Sequence, residues 1–266
     1  MLCHPFREKT MPALAALLFD VDGTLADTEE IHRQCFNQAF ADAGLDWTWS
    51  IAVYGELLAV TGGRERILHY INTQRPVFTA PADLKQWITE LHLAKTALYT
   101  RRLAEGRIPL RPGVSRLIDE ARRAGLRLAI VTTTTPANVI ALLEHSLHRD
   151  SPGWFEVIAA GDMVPTKKPA PDIYRYALHA LKLDATQCLS FEDSENGVRA
   201  SRGAGVATVV TLNDYTRDHD FSGALILLDT LGEPDQPCHV LSANTADVRY
   251  IDVDLLRPLH AKAYSV

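Results

Sequence analysis

The sequence has little of what marks secreted, membrane or nucleic-acid-binding proteins. It carries four cysteines among 266 residues, Cys3, Cys35, Cys188 and Cys238, and none forms a CxxC pair. This excludes a disulfide framework and predicts free thiols. No apolar run reaches the roughly 18 residues of a membrane span, and the net charge of -6 excludes the basic excess that binds a phosphate backbone. These absences predict a cytoplasmic, soluble protein that binds neither nucleic acid nor membrane.

The sequence does contain enough apolar residues, 47%, to bury an ordinary core. Short apolar runs that end in polar loops recur at residues 16–19, 126–131, 188–191 and 206–211. Helical patterns separate several of these runs, and this alternation predicts an α/β fold built on a parallel sheet. Cations followed by a glycine, in residues 120–125 and 200–205, indicate the ends of two helices.

A long segment without strand-like runs follows the first predicted strand. Its apolar residues recur at helical spacing through residues 31–40 and again through 87–98, which predicts an all-helical insert. The turn Arg111-Pro112-Gly113-Val114 then begins a new helix, so the insert is expected to lie as a cap over the carboxyl end of the sheet. The predicted domains are core residues 1–27, a helical cap 28–110, core residues 111–231, and a C-terminal extension, 232–266, packed on the core.

Two carboxylates follow the first predicted strand. Asp20 and Asp22 are separated by one residue and lead into Gly23-Thr24, at the end of a parallel strand where such sheets bind ligands. Carboxylates this close repel each other unless a cation intervenes, so the pair suits a hard metal ion such as Mg²⁺. Taken alone, the motif is explained about as well by an Asx turn that caps a helix.

Three further segments make the carboxylate pair part of a larger set. They supply the strand-end hydroxyls Thr132 and Thr133, Lys168 before a proline, and the strand-end acids Glu192 and Asp193. With the DxDGT sequence at Asp20, the set resembles, in order, the four motifs of the haloacid dehalogenase (HAD) superfamily. A β-prone threonine run and an exposed proline-rich loop are alternatives for single segments, but the four together favour the superfamily.

The resemblance implies a Rossmann-like HAD core with a helical cap inserted after the first strand, and Mg²⁺ as the cofactor. It implies that Asp20 is a nucleophile that takes up a phosphoryl group, and that Asp22 is the general acid and base. Thr132, Thr133 and Lys168 would stabilise charge on the phosphoryl oxygens. The implied metal ligands are Asp20, Asp22 through its backbone carbonyl, Asp193 and, second to it, Glu192.

The cap is expected to determine the substrate. In Thr61-Gly62-Gly63-Arg64-Glu65-Arg66, glycines precede a helix start and two arginines could bind a second phosphate. The alternative is a flexible hinge and a solvated helix face. The segments that carry a closer resemblance are DVDGTLADTEE-H, Trp47-Thr48-Trp49, Tyr54-Gly55-Glu56-Leu57-Leu58, TGGRERI and VPTKKPAPDIY. Together they resemble the CbbY-type branch of the superfamily over most of the first 220 residues, which implies a small phosphorylated sugar, xylulose 1,5-bisphosphate, an inhibitor of Rubisco in the Calvin cycle. The implied substrate-binding residues are Glu29, His32, Tyr54, Gly63, Arg64 and Arg66.

Several functions stay open at this point. A β-phosphoglucomutase-like phosphosugar mutase or a phosphoglycolate-type phosphatase would use the same motifs. A catalytically silent binding protein is disfavoured because Asp20, Asp22, Lys168 and Asp193 are all present, although fold alone never establishes activity. The sequence does not reveal protein partners, the oligomeric state, or whether translation starts at Met1 or Met11. For Trp47 and Trp49, the core is the expected location.

Overall fold

The computed structural model describes residues 12–75, 77–105, 108–242 and 248–265, so Met1 and Met11 lie outside it. The strands are β1 (Ala16–Phe19), β2 (Arg127–Val131), β3 (Val157–Ala159), β4 (Cys188–Glu192), β5 (Ala207–Thr211) and β6 (Ile226–Leu228). The helices are α1 (Glu29–Asp42), α2 (Ile51–Leu57), α3 (Gly63–Gln74), α4 (Leu84–Ala104), α5 (Val114–Arg123), α6 (Pro136–Leu142), α7 (Asp172–Leu181), α8 (Glu195–Gly203) and α9 (Val253–Ala263).

The six strands form one sheet in the order β3-β2-β1-β4-β5-β6, and every pair of neighbours is parallel. Four strands, β1, β2, β4 and β5, coincide with the predicted apolar runs, and the predicted fold class is confirmed. Strands β3 and β6 were not predicted from the sequence. Both are only three residues long and lie at the two edges of the sheet, so they carry too few residues for a periodic pattern.

The two faces of the sheet are both covered by helices. Leu17 and Phe19 of β1 pack in one apolar cluster with residues of α5, α6 and α9, whereas Ala16 and Leu18 pack in another with residues of α7 and α8. This alternation follows from the strand period of two. The result is a three-layer sandwich, in which strands buried on both faces read as continuous apolar runs.

Between β1 and α5 the described residues form helices α1 to α4, with an apolar cluster of their own. Trp47 and Trp49 are buried in it, as predicted. The ring centroid of Trp49 lies 4.7 Å from that of Phe36 and 4.9 Å from that of Phe40, within the range of favourable aromatic pairs. These rings hold α1 against the segment that leads into α2.

The two chain crossings between sheet and helical insert lie side by side. Ala26 and Leu110 form an antiparallel bridge, and the backbone N–H of Arg111 donates to the carbonyl of Leu25 at 2.8 Å. The Arg111 side chain is buried and donates to backbone carbonyls of the turn after β1 and of the loops after β5 and β6. The Arg111 guanidinium therefore connects the crossing between sheet and helical insert to three loops at the carboxyl end of the sheet.

The segment after residue 231 packs on the sheet layer. Ile251 and Leu256 belong to the apolar cluster that contains Leu231, and Leu256 lies in α9. The Tyr264 hydroxyl accepts a hydrogen bond from the backbone N–H of Ala207 at 2.8 Å. These contacts attach α9 to the start of β5. The predicted domain boundaries stay a prediction.

The remaining expectations from composition concern thiols and membranes. Cys35, Cys188 and Cys238 are free, buried thiols, as predicted, whereas Cys3 lies outside the described residues. Within the part of the chain that the structure describes, no helix combines the length and the apolar character of a membrane span.

Candidate active site

The carboxyl ends of β1 and β4 bring three acids together. Phe19 and Phe191 are paired in register, and their rings stack with centroids 4.6 Å apart. Asp20 follows Phe19 directly, and Glu192 and Asp193 follow Phe191. Each of these three acids offers a carboxylate oxygen, and the three oxygens lie within 4.8 Å of one another. A pairing of adjacent strands thus assembles acids that are about 170 residues apart in the chain.

Lys168 lies between two of these acids. Its Nζ lies 2.7 Å from Asp20 Oδ1, 2.7 Å from Glu192 Oε1 and 2.9 Å from the carbonyl of Val131. Burial lowers the pKa of Lys168, but the attraction of Asp20 and Glu192 outweighs it and raises that pKa above its usual range. The side chain therefore stays charged, and the three N–H groups of its ammonium each have an acceptor.

The acid cluster carries more negative charge than Lys168 compensates. Burial, opposed by Lys168 and reinforced by Glu192, raises the pKa of Asp20 to about 7. Burial, with the nearby charges of Asp20 and Glu192, raises the pKa of Asp193 well above its usual range. Glu192 Oε2 is buried without a hydrogen-bond partner. A buried orphaned carboxylate oxygen beside two further acids fits a hard divalent cation with oxygen ligands.

Gly23 leaves room for this cluster. Its φ is 80°, in the left-handed region that favours glycine. A Cβ at this position would lie 2.1 Å from Asp193 Oδ2 and 2.6 Å from Asn213 Nδ2. Asn213, which the sequence analysis missed, donates to Asp193 Oδ2 at 2.6 Å. The glycine of the DxDG sequence is thus needed both for the turn and for the close approach of Asp193.

The carboxylate of Asp22 is held apart from this cluster. Its Oδ1 accepts from Thr28 Oγ1 at 2.7 Å and lies 2.8 Å from His32 Nε2. Lys95 Nζ in turn lies 2.6 Å from His32 Nδ1. Burial favours a higher pKa for Asp22, but His32 and Thr28 lower that pKa below its usual range. Burial lowers the pKa of Lys95 to about 8.

Lys95 was not among the residues predicted from the sequence, although the apolar pattern of α4 contains a signal for it. Leu91, Lys95 and Tyr99 follow one another at a spacing of four, and all three are buried. Residues at this spacing share one helix face. A lysine on an otherwise apolar face is either paired or functional, since an unpaired buried cation is unfavourable. In this structure it lies against His32.

One cavity of about 280 Å³ opens beside these groups. Most of the predicted site residues line it: Asp20, Asp22, Glu29, His32, Gly63, Arg64, Arg66, Thr132, Thr133, Lys168 and Asp193. Two predicted site residues do not belong to its lining. Glu192 is fully buried next to Lys168, and Tyr54 is fully buried and donates its hydroxyl to Glu29 Oε2 at 2.7 Å.

The two arginines predicted to bind a second phosphate differ in their surroundings. Arg66 donates from Nη1 to the Tyr54 hydroxyl at 3.0 Å and from Nε to the carbonyl of Leu57 at 3.1 Å, and its guanidinium lies over the Tyr54 ring. Arg64 instead pairs with Asp162, which follows β3. Arg66 is therefore anchored within the helical insert, whereas Arg64 reaches across to the sheet layer.

Gly63 lies where the cavity wall on the helical side is closely packed. A Cβ there would lie 2.4 Å from His92 Nε2 and 3.3 Å from Phe36 Cζ. We expect Gly63→Ala to lower the free energy of unfolding by about 1–3 kcal/mol, because His92 must shift within a packed wall. Urea denaturation measures this. Gly153→Ala, at a site with nothing within 4 Å of the added carbon, is the control, and equal losses in both variants would contradict the prediction.

Fold and site together define a hydrolase built on a parallel α/β sheet, with an acid cluster and a lysine at the strand ends. The chain belongs to the haloacid dehalogenase-like hydrolase family, whose sequence model matches residues 14–205. Within this family the chain is a phosphatase. The predicted membership and enzyme class are confirmed.

Individual relatives agree with this assignment. The chain is 48% identical over 249 residues to the protein CbbY (plasmid) of Cupriavidus necator, covering 93% of this chain and 97% of the relative. It is 49% identical to a mutant CbbY from Rhodobacter sphaeroides solved in complex with xylulose-(1,5)bisphosphate; the TM-score is 0.75, and the match covers 82% of this chain and 94% of that one. A β-phosphoglucomutase from Clostridium difficile, 18% identical with a TM-score of 0.69 over 94% of this chain and 98% of its own, shares the fold.

Proposed function

We propose that this protein is a Mg²⁺-dependent phosphatase that hydrolyses xylulose 1,5-bisphosphate to xylulose 5-phosphate through an aspartyl-phosphate, and so removes an inhibitor of Rubisco. The observation that carries the phosphoryl transfer is the pairing of Asp20 with Lys168 at 2.7 Å, next to the acids at the end of β4. The choice of sugar rests on the similarity to the CbbY that was solved with this bisphosphate.

The acid cluster provides the metal-binding part of this proposal. Asp20, Asp193 and Glu192 would hold Mg²⁺ through their side chains, and Asp22 through its backbone carbonyl. When bound, the ion screens the charge of the phosphate from that of the attacking carboxylate. The buried, unpartnered Oε2 of Glu192 supports this role, because it lacks any other partner among the described residues.

Asp20 is the proposed nucleophile. Lys168 binds its Oδ1, which leaves Oδ2 to attack phosphorus. As the bond from Asp20 to phosphorus forms, the bond from phosphorus to the sugar oxygen breaks. Thr132, the Thr133 amide and Lys168 stabilise the charge on the phosphoryl oxygens. Water then attacks the aspartyl-phosphate, which releases inorganic phosphate and restores the carboxylate.

Asp22 is the proposed general acid and base. The negative charge of the bound phosphate raises the proton affinity of Asp22, which takes up a proton from solvent and gives it to the departing sugar oxygen; the carboxylate then accepts a proton from the attacking water. Its hydrogen bonds to Thr28 and His32 hold the carboxylate in one orientation. As an ammonium, Lys95 donates to His32 Nδ1, so His32 Nε2 carries the proton that is donated to Asp22. The helical insert thus positions the acid and base of a reaction that takes place at the sheet.

We expect Lys95→Met to lower kcat by about 10- to 100-fold, the range typical for loss of a residue that orients the side chains of a metal site. Without Lys95, His32 is free to change its tautomer and Asp22 loses its orientation. Steady-state kinetics across pH measure this, and the acidic limb of the profile should also move. Lys85→Met, at an exposed site on the same helix, is the control. An unchanged kcat and pH profile in Lys95→Met would rule out the positioning role.

The proposed contacts to the rest of the substrate come from the helical insert. Glu29, His32, Gly63, Arg64 and Arg66 line the cavity opposite Asp20, and Tyr54 acts through Glu29 and Arg66. Guanidinium groups suit a phosphate, because they can donate two parallel hydrogen bonds. The sugar would therefore lie between the acid cluster and α3.

Phosphate release tests the proposed function and its metal dependence. The assay compares xylulose 1,5-bisphosphate, ribulose 1,5-bisphosphate, phosphoglycolate and β-glucose 1-phosphate, each with Mg²⁺ and with EDTA. We expect the highest kcat/KM for xylulose bisphosphate, and loss of activity in EDTA that returns with added Mg²⁺. Equal rates for all four substrates would overturn the assigned sugar. Conversion of β-glucose 1-phosphate to glucose 6-phosphate with little free phosphate would indicate a mutase instead.

A further inference from the structure

Four charged side chains form a network at one rim of the cavity. Arg64 and Glu65 lie in the first turn of α3, whereas Asp162 and Lys167 lie in the segment between β3 and α7. Arg64 Nη2 contacts Asp162 Oδ2. Lys167 Nζ lies 3.1 Å from Asp162 Oδ1 and 2.7 Å from Glu65 Oε1. The network therefore connects the helical insert to the sheet layer through two cations and two carboxylates.

The two halves of this network differ in exposure. The Lys167 side chain is 16% exposed, whereas the Asp162 side chain is 58% and the Arg64 side chain 37% exposed. Ion pairs as exposed as Arg64 with Asp162 are weak. The pair of Lys167 with Glu65 is better shielded, and it can hold the α3 start to the sheet layer when Asp162 is displaced.

Arg64 and Asp162 both line the cavity of Asp20. The Asp162 carboxylate thus forms an ion pair with a guanidinium that faces the cavity in which the substrate would bind. A phosphate dianion uses the same guanidinium donors and carries more charge than a carboxylate. The two anions therefore compete for one cation.

We propose that Asp162 sets the affinity of the remote-phosphate site, because its carboxylate holds Arg64 until the remote phosphate of a bisphosphate displaces it. This rests on the proposed function, in which Arg64 binds that remote phosphate. A sugar monophosphate that reacts at Asp20 has no group to displace Asp162 and leaves the pair intact. Asp162 thereby weakens the binding of every anion at Arg64, and only a ligand held at both ends of the cavity overcomes this competition.

Binding to the inactive Asp20→Asn variant tests the inference without turnover. Calorimetric titrations with xylulose 1,5-bisphosphate and with xylulose 1-phosphate, both in Mg²⁺, compare Asp20→Asn with Asp20→Asn/Asp162→Asn. We expect the Kd of the bisphosphate to fall about threefold in the double variant, the size expected for a weak exposed pair, while the Kd of the monophosphate stays unchanged. Asp150→Asn, an exposed aspartate, replaces Asp162→Asn in the control.

A double-mutant cycle separates competition from a merely structural role. Arg64→Gln should weaken the binding of the bisphosphate. It should also abolish the effect of Asp162→Asn on that binding, because the two changes act on one contact. An equal change in Kd for both ligands, no change, or an effect that persists in Arg64→Gln would overturn the role of Asp162. Turnover of the bisphosphate by the wild-type protein is measured in parallel. The absence of turnover would overturn the proposed function and this inference together. If the bisphosphate is turned over, but the ratio of the two ligands' Kd values is the same with and without Asp162→Asn, this inference alone would be overturned.

Discussion

Asp20→Asn is expected to lower the rate of phosphate release by about 10⁴-fold or more, as removal of a covalent nucleophile does in other hydrolases. The amide keeps the shape of the side chain but cannot form the aspartyl-phosphate. Single-turnover phosphate release with xylulose 1,5-bisphosphate in Mg²⁺ measures the loss. Substrate binding should survive, since the contacts from α1 and α3 are untouched.

The control for Asp20→Asn is the same change at an exposed site. Asp150→Asn removes one carboxylate from the surface and should leave kcat within about twofold of the wild type, in line with the small effects of most surface changes. Thermal unfolding should show that both variants are folded. Full activity in Asp20→Asn would contradict the assignment of Asp20 as the nucleophile, and with it the proposed reaction mechanism.

Lys168→Met is expected to have the largest effect on stability, a loss of about 3–5 kcal/mol in the free energy of unfolding when EDTA is present. The ammonium lies between Asp20 and Glu192. Its removal leaves buried carboxylates that repel each other without a compensating charge. Urea denaturation followed by circular dichroism measures the loss.

Added Mg²⁺ should return part of the stability that Lys168→Met loses, because an ion that binds only the folded state stabilises it by mass action. Catalysis should not return, since Lys168 also stabilises the transferring phosphoryl group in the proposed mechanism. Lys262→Met, at an exposed position of α9, is the matched control. A urea midpoint equal to that of the wild type in EDTA would show that the acids do not depend on Lys168.

Much of the fold could be predicted because its central strands are buried on both faces. Such strands read as continuous apolar runs, and the residues that follow them are the residues at the ligand-binding edge of a parallel sheet. Asp20 and Asp193 could therefore be selected from the sequence. The edge strands β3 and β6 could not, since three residues carry no usable period.

The sequence by itself determined the parallel sheet, the strand-end motifs and the family. Each of these depends on short apolar runs and short motifs, whose residues are close together in the chain. Only the tertiary structure decided which distant side chains meet. His32 and Lys95 are 63 residues apart, and Arg64 and Asp162 are 98 apart. Neither pair has a local pattern that relates its two members. Their contacts depend on how α4 packs against α1 and on where the segment after β3 faces α3, and packing between separate elements fixes side-chain neighbours that local periodicity does not encode.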